Sequence, residues 1–479
     1  MAQSILTNTT IATIGRLINI LLGIVVTALI TRLLGPSQFG SYVLLLSIGA
    51  LVQLAADFGL YLTLTRTVAE QPHQSPVLLS QVFSLRLLLL GAVFLLATVI
   101  TLIIPNLRPY ALPFIIMSFG LSCQSFSQLL LGIYQHRQVV WRATLGDLVG
   151  RLAQIASIFL LSTSAANISS MIMAFTIGTA LAYLLHHWLL PVTPWRLVFA
   201  WSAWKKIIIV SWPLGAMLLV NAVYFRIDML ILSFFRPAWE IGWYGAAYRI
   251  IESALFFPAM FGGLLLPRIT AALSQQDLPH VNQYLIEGLR VLLVLSLYSL
   301  LVLLYFSQPI LLLIAGPTFI AAAPLLQILS LALVIMFFGN LFGFALVALG
   351  RQSFLLRLYL ALAVFNTCAN LLLIPRYGAA AAAWTTVATE LIAAGSAAWY
   401  VHRTTGLSLP YSLVFKILFT FIGCSVFLYL LPSTVPVAVR AILLTGVYGV
   451  AVFSANIVSP AHFRLLRAGT TDPVPPPLG

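Results

Sequence analysis

The chain has 479 residues, of which 61% are apolar (AVILMFWYC) and only 7% are charged, and its mean hydropathy is +1.06. In soluble domains about a quarter of the residues are charged, so this composition leaves almost no room for a soluble domain. The net charge of +14 does not indicate nucleic-acid binding, because the basic residues lie in short loops between apolar runs.

Fourteen apolar runs, each about the length of one bilayer crossing, follow one another along the chain. A spanning helix needs about 20 apolar residues, because the hydrocarbon core is about 30 Å thick and each residue rises about 1.5 Å. Barrel strands take only about 9–11 residues of alternating polarity, so the runs predict helices. Predicted spans 1 to 7 are Thr10–Leu33, Phe39–Leu62, Gln81–Ile104, Tyr110–Ile133, Thr144–Thr163, Ser169–Leu190 and Ile207–Ser233. Spans 8 to 14 are Tyr244–Leu266, Leu289–Leu313, Pro324–Leu349, Phe354–Ile374, Ala379–Val401, Leu413–Leu431 and Val437–Val458.

Basic residues are distributed unequally over alternate loops. With the N-terminus taken as cytoplasmic, twelve lie on the inner side and five on the outer side, which predicts that both termini are cytoplasmic. The first run is too long for a cleaved signal and has no basic n-region, so we expect it to remain as span 1. The inner set is Arg66, Arg137, Arg142, Arg196, Lys205, Lys206, Arg268, Arg351, Arg357, Arg403, Arg464 and Arg467. The outer set is Arg32, Arg108, Arg236, Arg376 and Arg440.

The second half of the chain repeats the first. Around the loop after span 1 the chain reads Pro-x3-Gly-x-Tyr, with Tyr42 as the last residue of the pattern, and around the loop after span 7 it reads Pro-x4-Gly-x-Tyr, with Tyr244 as the last residue. Each tyrosine precedes an arginine, Arg66 or Arg268, by 24 residues. Six spans therefore match the next six as a parallel repeat, an arrangement that places a substrate cavity between two lobes.

The predicted fold is an all-α polytopic membrane protein with two six-helix lobes and two further C-terminal helices. Between the lobes, tryptophans beside Lys205 and Lys206 predict a segment that lies at the cytoplasmic interface. The predicted parts are an N-terminal lobe (1–190), a connector (191–206), a C-terminal lobe (207–403), and helices 13 and 14 with a cytoplasmic tail (404–479).

Span 1 carries a polar face, because Arg16, Asn19, Gly23 and Thr27 follow spacings of three and four. A charge at a helix centre costs about 2.5–3.5 kcal/mol on insertion scales, so it needs a partner or a cavity. We expect this face either to line a cavity that contacts cargo or to pack against another helix, with Arg16 reaching the cytoplasmic interface.

Span 7 carries a similar face, with Asn221 in the place of Asn19 and Asp228 seven residues further on. Arg226 lies nearly opposite Asp228, so the two do not pair along their helix. A guanidinium suits an anion because its fork donates two hydrogen bonds to phosphate oxygens. The predicted substrate site is Arg16, Asn19, Asn221, Arg226, Asp228 and Arg249.

Other charged residues are candidates for gating or ion coupling. Asp147 and Arg151 are four residues apart and Arg249 and Glu252 are three apart, so each pair either stabilises one helix face or forms in only one conformation. Single carboxylates in spans 2, 7 and 12 could carry a proton or a sodium ion. The predicted gate or coupling set is Asp57, Asp147, Arg151, Glu252 and Glu390.

Residues that hold metals or cofactors in other proteins show no such pattern here. Cys123, Cys368 and Cys424 lie far apart inside spans, which favours packing over a disulfide or a metal site. The His186-His187 pair ends span 6, and we interpret it as interfacial. No cofactor is expected, apart from possible coupling to a proton or sodium gradient.

Several stretches, taken in order, match a known family. They are Leu33–Pro36 with Phe39–Tyr42, Asp57–Leu60, Arg226–Asp228 with Gly242–Arg249, Leu266–Arg268, Gly316–Leu329, Ala348–Arg351, and Asn370–Gly378 continuing to Glu390. Through them the chain resembles the polysaccharide flippases of the Wzx type, in the superfamily that also holds lipid II flippases and multidrug/toxin extrusion antiporters. Ala379–Ala383 departs from the family, whose members often carry a second glycine there.

The resemblance implies a flippase rather than an enzyme. Its cargo would be oligosaccharide repeat units linked to undecaprenyl diphosphate, moved across the bacterial inner membrane by alternating access, for O-antigen, lipopolysaccharide or exopolysaccharide. The implied partners are this glycan, membrane lipids, a polysaccharide polymerase and glycosyltransferases. A lipid II flippase and a multidrug antiporter for organic cations stay open as alternatives, although arginines inside spans favour an anionic cargo. A membrane glycosyltransferase or ligase would need a longer extramembrane loop than any here.

Overall fold

A computed structural model describes residues 2–64, 75–137, 139–164, 166–190, 197–407, 410–432 and 434–458, and these ranges contain helices and no strand. Arg66, Trp195 and Arg196 of the predicted inner loops lie outside the described residues. So does the predicted cytoplasmic tail with Arg464 and Arg467.

Fourteen α-helices have their bounds within the described residues, and we number them in chain order. Helices α1 to α7 are Ala2–Asp57, Ser75–Ile103, Ala111–His136, Val140–Ser162, Ile168–Leu189, Trp201–Phe235 and Ala238–Ala254. Helices α8 to α14 are Phe256–Ser274, Leu278–Tyr305, Ser307–Ile314, Ala323–Ala348, Gln352–Thr405, Tyr411–Leu430 and Val437–Ser454. Two short 3₁₀ helices are Pro105–Tyr110 and Pro317–Ala322.

Two of these helices are long enough for two crossings each. The apolar stretch of α1 covers 45 residues, and that of α12 covers 54 residues. At about 1.5 Å per residue, each stretch is more than twice as long as the hydrocarbon core is thick. Each is broken at a glycine with positive φ, Gly35 at 65° in α1 and Gly378 at 61° in α12. The twelve helical stretches apolar enough to span a membrane are therefore long enough, within the described residues, for fourteen crossings. The predicted all-helical polytopic fold is confirmed.

The bounds of two predicted spans were wrong. Span 8 is divided at Leu255 into α7 and α8. Span 9 was predicted to begin at Leu289, but α9 begins at Leu278, where the side chain of Asp277 accepts a hydrogen bond from the backbone N–H of His280. The polar first turns of α9 hid this start, because hydropathy detects only the apolar part of a helix.

The chain packs as two compact units. The first contains residues 1–245 and 314–319, and the second contains residues 246–313 and 320–479. In the first unit α1 packs against α4 and α6, and α5 packs against α3 and α4. Span 7, which the repeat assigns to the second lobe, thus packs as α6 within the first unit. The predicted lobe boundaries at 190 and 207 stay a prediction.

In the second unit α11 packs against α8, α9 and α12. The C-terminal helices α13 and α14 pack against α9 through an apolar cluster that includes Leu301, Ile417 and Leu444. The Tyr448 hydroxyl donates to the carbonyl oxygen of Val294 at 2.8 Å, which ties α14 to α9. Burial of apolar side chains and this hydrogen bond together fix the two added helices on one face of the unit.

The two repeat-related loops meet in the first unit. A Cβ atom at Gly40 would lie 1.9 Å from the carbonyl oxygen of Ala238, and one at Gly242 would lie 2.0 Å from that of Pro36. Both positions therefore require glycine for this close backbone contact. The residues that reveal the repeat in sequence are in contact with each other in the fold.

Candidate polar site in the membrane-spanning helices

A cluster of polar side chains joins α1 and α4 in the first unit. The Arg151 guanidinium donates through Nε to Asn19 Oδ1 at 3.3 Å and through an Nη atom to Gln154 Oε1 at 2.9 Å. Arg16 is exposed one turn before Asn19, and Arg151 is half-buried. The polar face predicted for span 1 therefore meets a polar face of span 5.

A buried histidine completes the cluster from α5. His186 is 3% exposed, and its Nε2 lies 2.8 Å from the carbonyl oxygen of Ala143 and 3.4 Å from the Asp147 carboxylate. A carbonyl oxygen can only accept, so Nε2 carries the proton and donates. The side chain of Asp147 is 49% exposed and lies within electrostatic range of Arg151 and Arg16. We call Arg16, Asn19, Asp147, Arg151, Gln154 and His186 the polar cluster.

Small residues bring the three helices close enough for these contacts. A Cβ atom at Gly15 would lie 2.1 Å from Thr144 Cγ2, and one at Gly146 would lie 2.3 Å from the His186 ring. One turn further, Gly150 packs against Gly178 and Ala182. Small residues at helix interfaces permit such close backbone approach inside membranes.

Two members of the polar cluster were missed by the sequence analysis, Gln154 and His186. The His186 ring is buried against α4, and its interpretation as an interfacial residue stays a prediction. The available signal was the spacing of Gly178, Ala182 and His186, which places the histidine on the small-residue face of its helix.

The chemistry of the polar cluster suits an anion. Arg16 and Arg151 offer guanidinium forks, and the amides of Asn19 and Gln154 offer further polar groups within a membrane-spanning segment. Charges are tolerated there only with partners or in a water-filled space, and Arg16 and Asp147 are both exposed. The arrangement can thus hold phosphate oxygens by paired hydrogen bonds.

The candidate gate residue Asp57 is held in a buried ion pair. Its carboxylate lies 2.8 Å from an Nη atom of Arg86, and the two side chains are 6% and 0% exposed. Arg86 also donates through Nε to Ser125 Oγ at 2.6 Å and through Nη2 to Gln128 Oε1 at 3.5 Å. The contact links α1, α2 and α3, so this geometry supports a structural role; a role in gating or coupling stays a prediction.

Asp228 of the predicted substrate site is also buried, at 5% exposure. It accepts a hydrogen bond from the Tyr244 hydroxyl and one from the backbone N–H of Met229 at 2.7 Å. Asn221 and Arg226 on the same helix are half-buried, and Arg226 has a polar or ring partner of its own. Asp228 is therefore part of the packing between α6 and α7.

In the second unit, Arg249 and Glu252 form the predicted pair, with 3.5 Å between their charged atoms and both half-exposed. Glu390 is buried at 8% exposure. One residue before it, Thr389 Oγ1 accepts a hydrogen bond from Asn366 Nδ2 at 3.2 Å, and Asn370 donates to Asn366 at 2.8 Å. The contact between Asn366 and Thr389 joins the two halves of α12, which is the usual role of amides between spanning helices.

An apolar groove of about 440 Å³ lies between α2, α3 and α5. Leu90, Phe94, Phe119 and Leu184 are among its lining residues. The hydroxyl of Ser118, which also lines it, donates within its own helix. The groove therefore offers hydrocarbon contacts without polar groups that need a partner. Within the described residues, no group of three or more His, Cys, Asp or Glu side chains could hold a metal ion.

Comparison with known proteins gives one family and a shared fold. Residues 5–273 match the model of a family described as "Polysaccharide biosynthesis protein". No curated protein matches the chain.

Among solved structures, the lipid II flippase MurJ in an inward closed conformation has a TM-score of 0.78 at 16% identity, over 93% of this chain and 99% of that chain. An inward-facing multidrug resistance MATE family transporter of the MOP superfamily has a TM-score of 0.66 at 13% identity, over 81% of this chain and 94% of that chain. A MOP superfamily transporter from Pyrococcus furiosus is described as having a binding pocket of reverse polarity. Its TM-score is 0.61 at 13% identity, over 84% of this chain and 95% of that chain. At these identities the similarity establishes the fold.

Proposed function

The chain belongs to the polysaccharide biosynthesis protein family, with the fold of MOP-superfamily transporters, and we propose that it flips oligosaccharide repeat units linked to undecaprenyl diphosphate. The movement would cross the bacterial inner membrane by alternating access and would supply surface polysaccharide synthesis, for O-antigen or exopolysaccharide. Both termini would face the cytoplasm. A glycan polymerase and glycosyltransferases would be its functional partners.

The polar cluster is the observation that carries this proposal. A diphosphate has about two negative charges, and moving them into a low-dielectric space without partners is costly. A guanidinium such as that of Arg16 or Arg151 has a planar fork that matches phosphate oxygens. The amides of Asn19 and Gln154 lie beside Arg151 and offer hydrogen bonds to sugar hydroxyls.

Transport of this kind needs no covalent step by the protein, so we propose a transporter rather than an enzyme. The hydrocarbon tail would stay in the bilayer while the head group moves. Coupling to a proton or sodium gradient is part of the proposal, with Asp57, Asp228 and Glu390 as the candidate carriers. Their burial means that an ion would have to reach them through a change in packing.

A lipid II flippase is the second candidate, favoured by the similarity in fold to MurJ over 93% of the chain. Its cargo shares the diphosphate, so the polar cluster serves both. A multidrug antiporter for organic cations is disfavoured, because arginines on the polar cluster would repel a cationic cargo.

Complementation in defined strains separates the candidates. We expect the gene to restore surface polysaccharide in a strain that lacks its repeat-unit flippase, and not to restore growth in a strain depleted of its lipid II flippase. The opposite pattern would assign lipid II as the cargo. Rescue of neither strain, together with transport of organic cations in vesicles, would contradict the proposal.

Variants of the polar cluster test the site directly. We expect Arg16→Ala and Arg151→Ala each to lower the flipping of a fluorescent undecaprenyl-diphosphate-linked glycan in proteoliposomes by more than about tenfold, at matched protein levels. Arg16→Lys should keep part of the activity, since it keeps the charge but loses the fork. The matched control is Arg357→Ala. Arg357 is exposed, and its Nε donates to the carbonyl oxygen of Ser353 in its own helix at 3.3 Å. Equal activity of the two cluster variants and the control would assign the arginines to packing.

A further inference from the structure

The polar cluster already contains an anion of its own. The Asp147 carboxylate is half-exposed and lies within electrostatic range of Arg151 and Arg16. It therefore neutralises part of the positive charge that would otherwise stand alone in a spanning segment. A diphosphate that approached the two arginines would compete with this carboxylate.

His186 lies against the carboxylate. Its Nε2–H donates to the carbonyl oxygen of Ala143 at 2.8 Å, and the Asp147 carboxylate lies 3.4 Å from the same nitrogen. The other ring nitrogen, Nδ1, is buried and makes no hydrogen bond to the described residues. The contact with a carbonyl oxygen therefore assigns the donated proton to Nε2.

The arginine beside it makes hydrogen bonds to neutral groups. Arg151 donates to the amide oxygens of Asn19 and Gln154. Charged acceptors form hydrogen bonds about twice as strong as neutral ones, so a phosphate oxygen can replace these amides. The Asp147 carboxylate lies 3.4 Å from His186 Nε2 and stays available as a counter-charge.

We infer that Asp147 is an internal counter-anion that the phosphate groups of the cargo displace, and that His186 is the positioning residue that holds it. In the empty site, Asp147 balances Arg16 and Arg151. When the diphosphate binds, the arginines turn to it and Asp147 stays beside the Nε2–H of His186. Release is then aided by Asp147, which competes for the arginines and keeps the anion from binding too tightly. The inference rests on the proposed function in naming a diphosphate.

Binding of inorganic pyrophosphate to the purified full chain in detergent tests this directly, without any carrier lipid. We expect Asp147→Asn to bind pyrophosphate about tenfold more tightly than the parent chain in calorimetric titrations, because the competing charge is gone. The same variant should flip the lipid-linked glycan more slowly, because release is slowed. Unchanged or weaker pyrophosphate binding by Asp147→Asn would overturn the inference.

A double-mutant cycle isolates the positioning role of His186. His186→Leu loses the N–H donor, so Asp147 is free to approach the arginines, and we expect weaker pyrophosphate binding. His186→Gln keeps a donor near the position of Nε2 and should restore most of the affinity. In the Asp147→Asn background, His186→Leu should have no effect on affinity, whereas a merely structural defect would lower it in both backgrounds.

Asp277 provides a matched control, because it is another aspartate paired with a histidine. It accepts hydrogen bonds from the backbone and the ring of His280. These bonds hold the pKa of Asp277 below its usual range, so Asp277→Asn also removes one negative charge at neutral pH. Asparagine caps a helix as well as aspartate does, so the fold is kept. We expect no change in pyrophosphate binding, and a tenfold gain here would overturn the assignment to Asp147.

The two proposals fail separately. If Asp147→Asn gains affinity for pyrophosphate but the parent chain flips no diphosphate-linked glycan, the counter-anion stands and the proposed cargo is wrong. If the glycan is flipped but Asp147→Asn gains nothing, the cargo stands and the counter-anion is wrong.

Discussion

Individual charged residues in this protein differ chiefly in whether their partners are buried with them. Arg86 is fully buried, and its guanidinium contacts Asp57, Ser125 and Gln128. Arg16 and Asp147 are exposed within the same unit. A buried pair stabilises packing only while both partners are present, whereas exposed charges within spanning segments are free to meet a cargo.

Arg86→Met should destabilise the protein strongly, because it leaves the Asp57 carboxylate buried without its cation. Loss of one partner of a buried pair costs about 3–5 kcal/mol, and the double variant Asp57→Asn/Arg86→Met should regain much of it. Thermal unfolding in detergent and the level of protein in membranes report both effects. Arg108→Met is the control, since Arg108 is exposed and donates only to the carbonyl oxygen of Leu102 among the described residues. If Asp57→Asn stops transport while unfolding is unchanged, Asp57 is a gate or coupling residue instead.

Tyr244→Phe should lower stability by about 1–3 kcal/mol, because Asp228 loses a hydrogen-bond donor while it stays buried. Tyr298→Phe is the matched control. Its hydroxyl lies 2.8 Å from Thr445 Oγ1, which also donates to the carbonyl oxygen of Ala441 in its own helix, so the change leaves no charged group without a partner. We expect the control to unfold within a degree or two of the parent chain, and equal effects of both variants would contradict the role given to Asp228.

At the scale of helices, backbone contacts through glycine decide how closely the elements approach. Helix α1 ends at Asp57, and the following residues Phe58 and Gly59 both have positive φ, at 48° and 78°. A Cβ atom at Gly215 of α6 would lie 2.4 Å from the carbonyl carbon of Phe58. The break and the glycine together allow the end of α1 to lie directly on the backbone of α6. Nearby, Ser211 Oγ donates to Thr63 Oγ1 at 2.8 Å.

Gly215→Ala is therefore expected to be destabilising, although alanine normally favours a helix by about 1 kcal/mol over glycine. The added methyl group would overlap backbone atoms, which cannot move aside as a flexible side chain can. Gly395→Ala in α12 is the control, because a Cβ atom there meets nothing within 4 Å. The temperature of thermal unfolding should fall for Gly215→Ala, and it should stay equal or rise for Gly395→Ala. A stable Gly215→Ala protein would show that this contact is not tight.

At the scale of the whole molecule, the orientation in the membrane is the main prediction that sequence alone supplies. Fourteen crossings are an even number, so both termini face the same side. Tags fused at the N-terminus and after residue 458 should both report a cytoplasmic location, because arginine and lysine are in excess in the predicted inner loops. Alkaline phosphatase fused after residue 458 should be inactive, and fused within the loop at 434–436 it should be active. Activity at the first position would contradict the fourteen-crossing topology.

The composition of the chain and the regular recurrence of its apolar runs determined the class of this protein before any contact was known. The bilayer imposes a length and a hydropathy on each crossing, so the number of crossings and the all-helical fold could be predicted from the chain. The spacing of three and four placed Arg16 and Asn19 on one face of α1, and this prediction agrees with the contact from Asn19 to Arg151. Asp147 and Arg151 were also recognised as neighbours, because they lie on one helix four residues apart.

Only the tertiary structure decided which polar residues meet across helices. Periodicity fixes the face on which a side chain lies, but the partner depends on the rotation and approach of two helices distant in sequence. Asp57 lies against Arg86, Asp228 lies against Tyr244, and His186 lies against Asp147. Each of these contacts depends on close helix packing, and for His186 that packing rests on Gly146, Gly150 and Gly178. The sum of such small-residue contacts is a property of the packed bundle, which no single stretch of sequence contains.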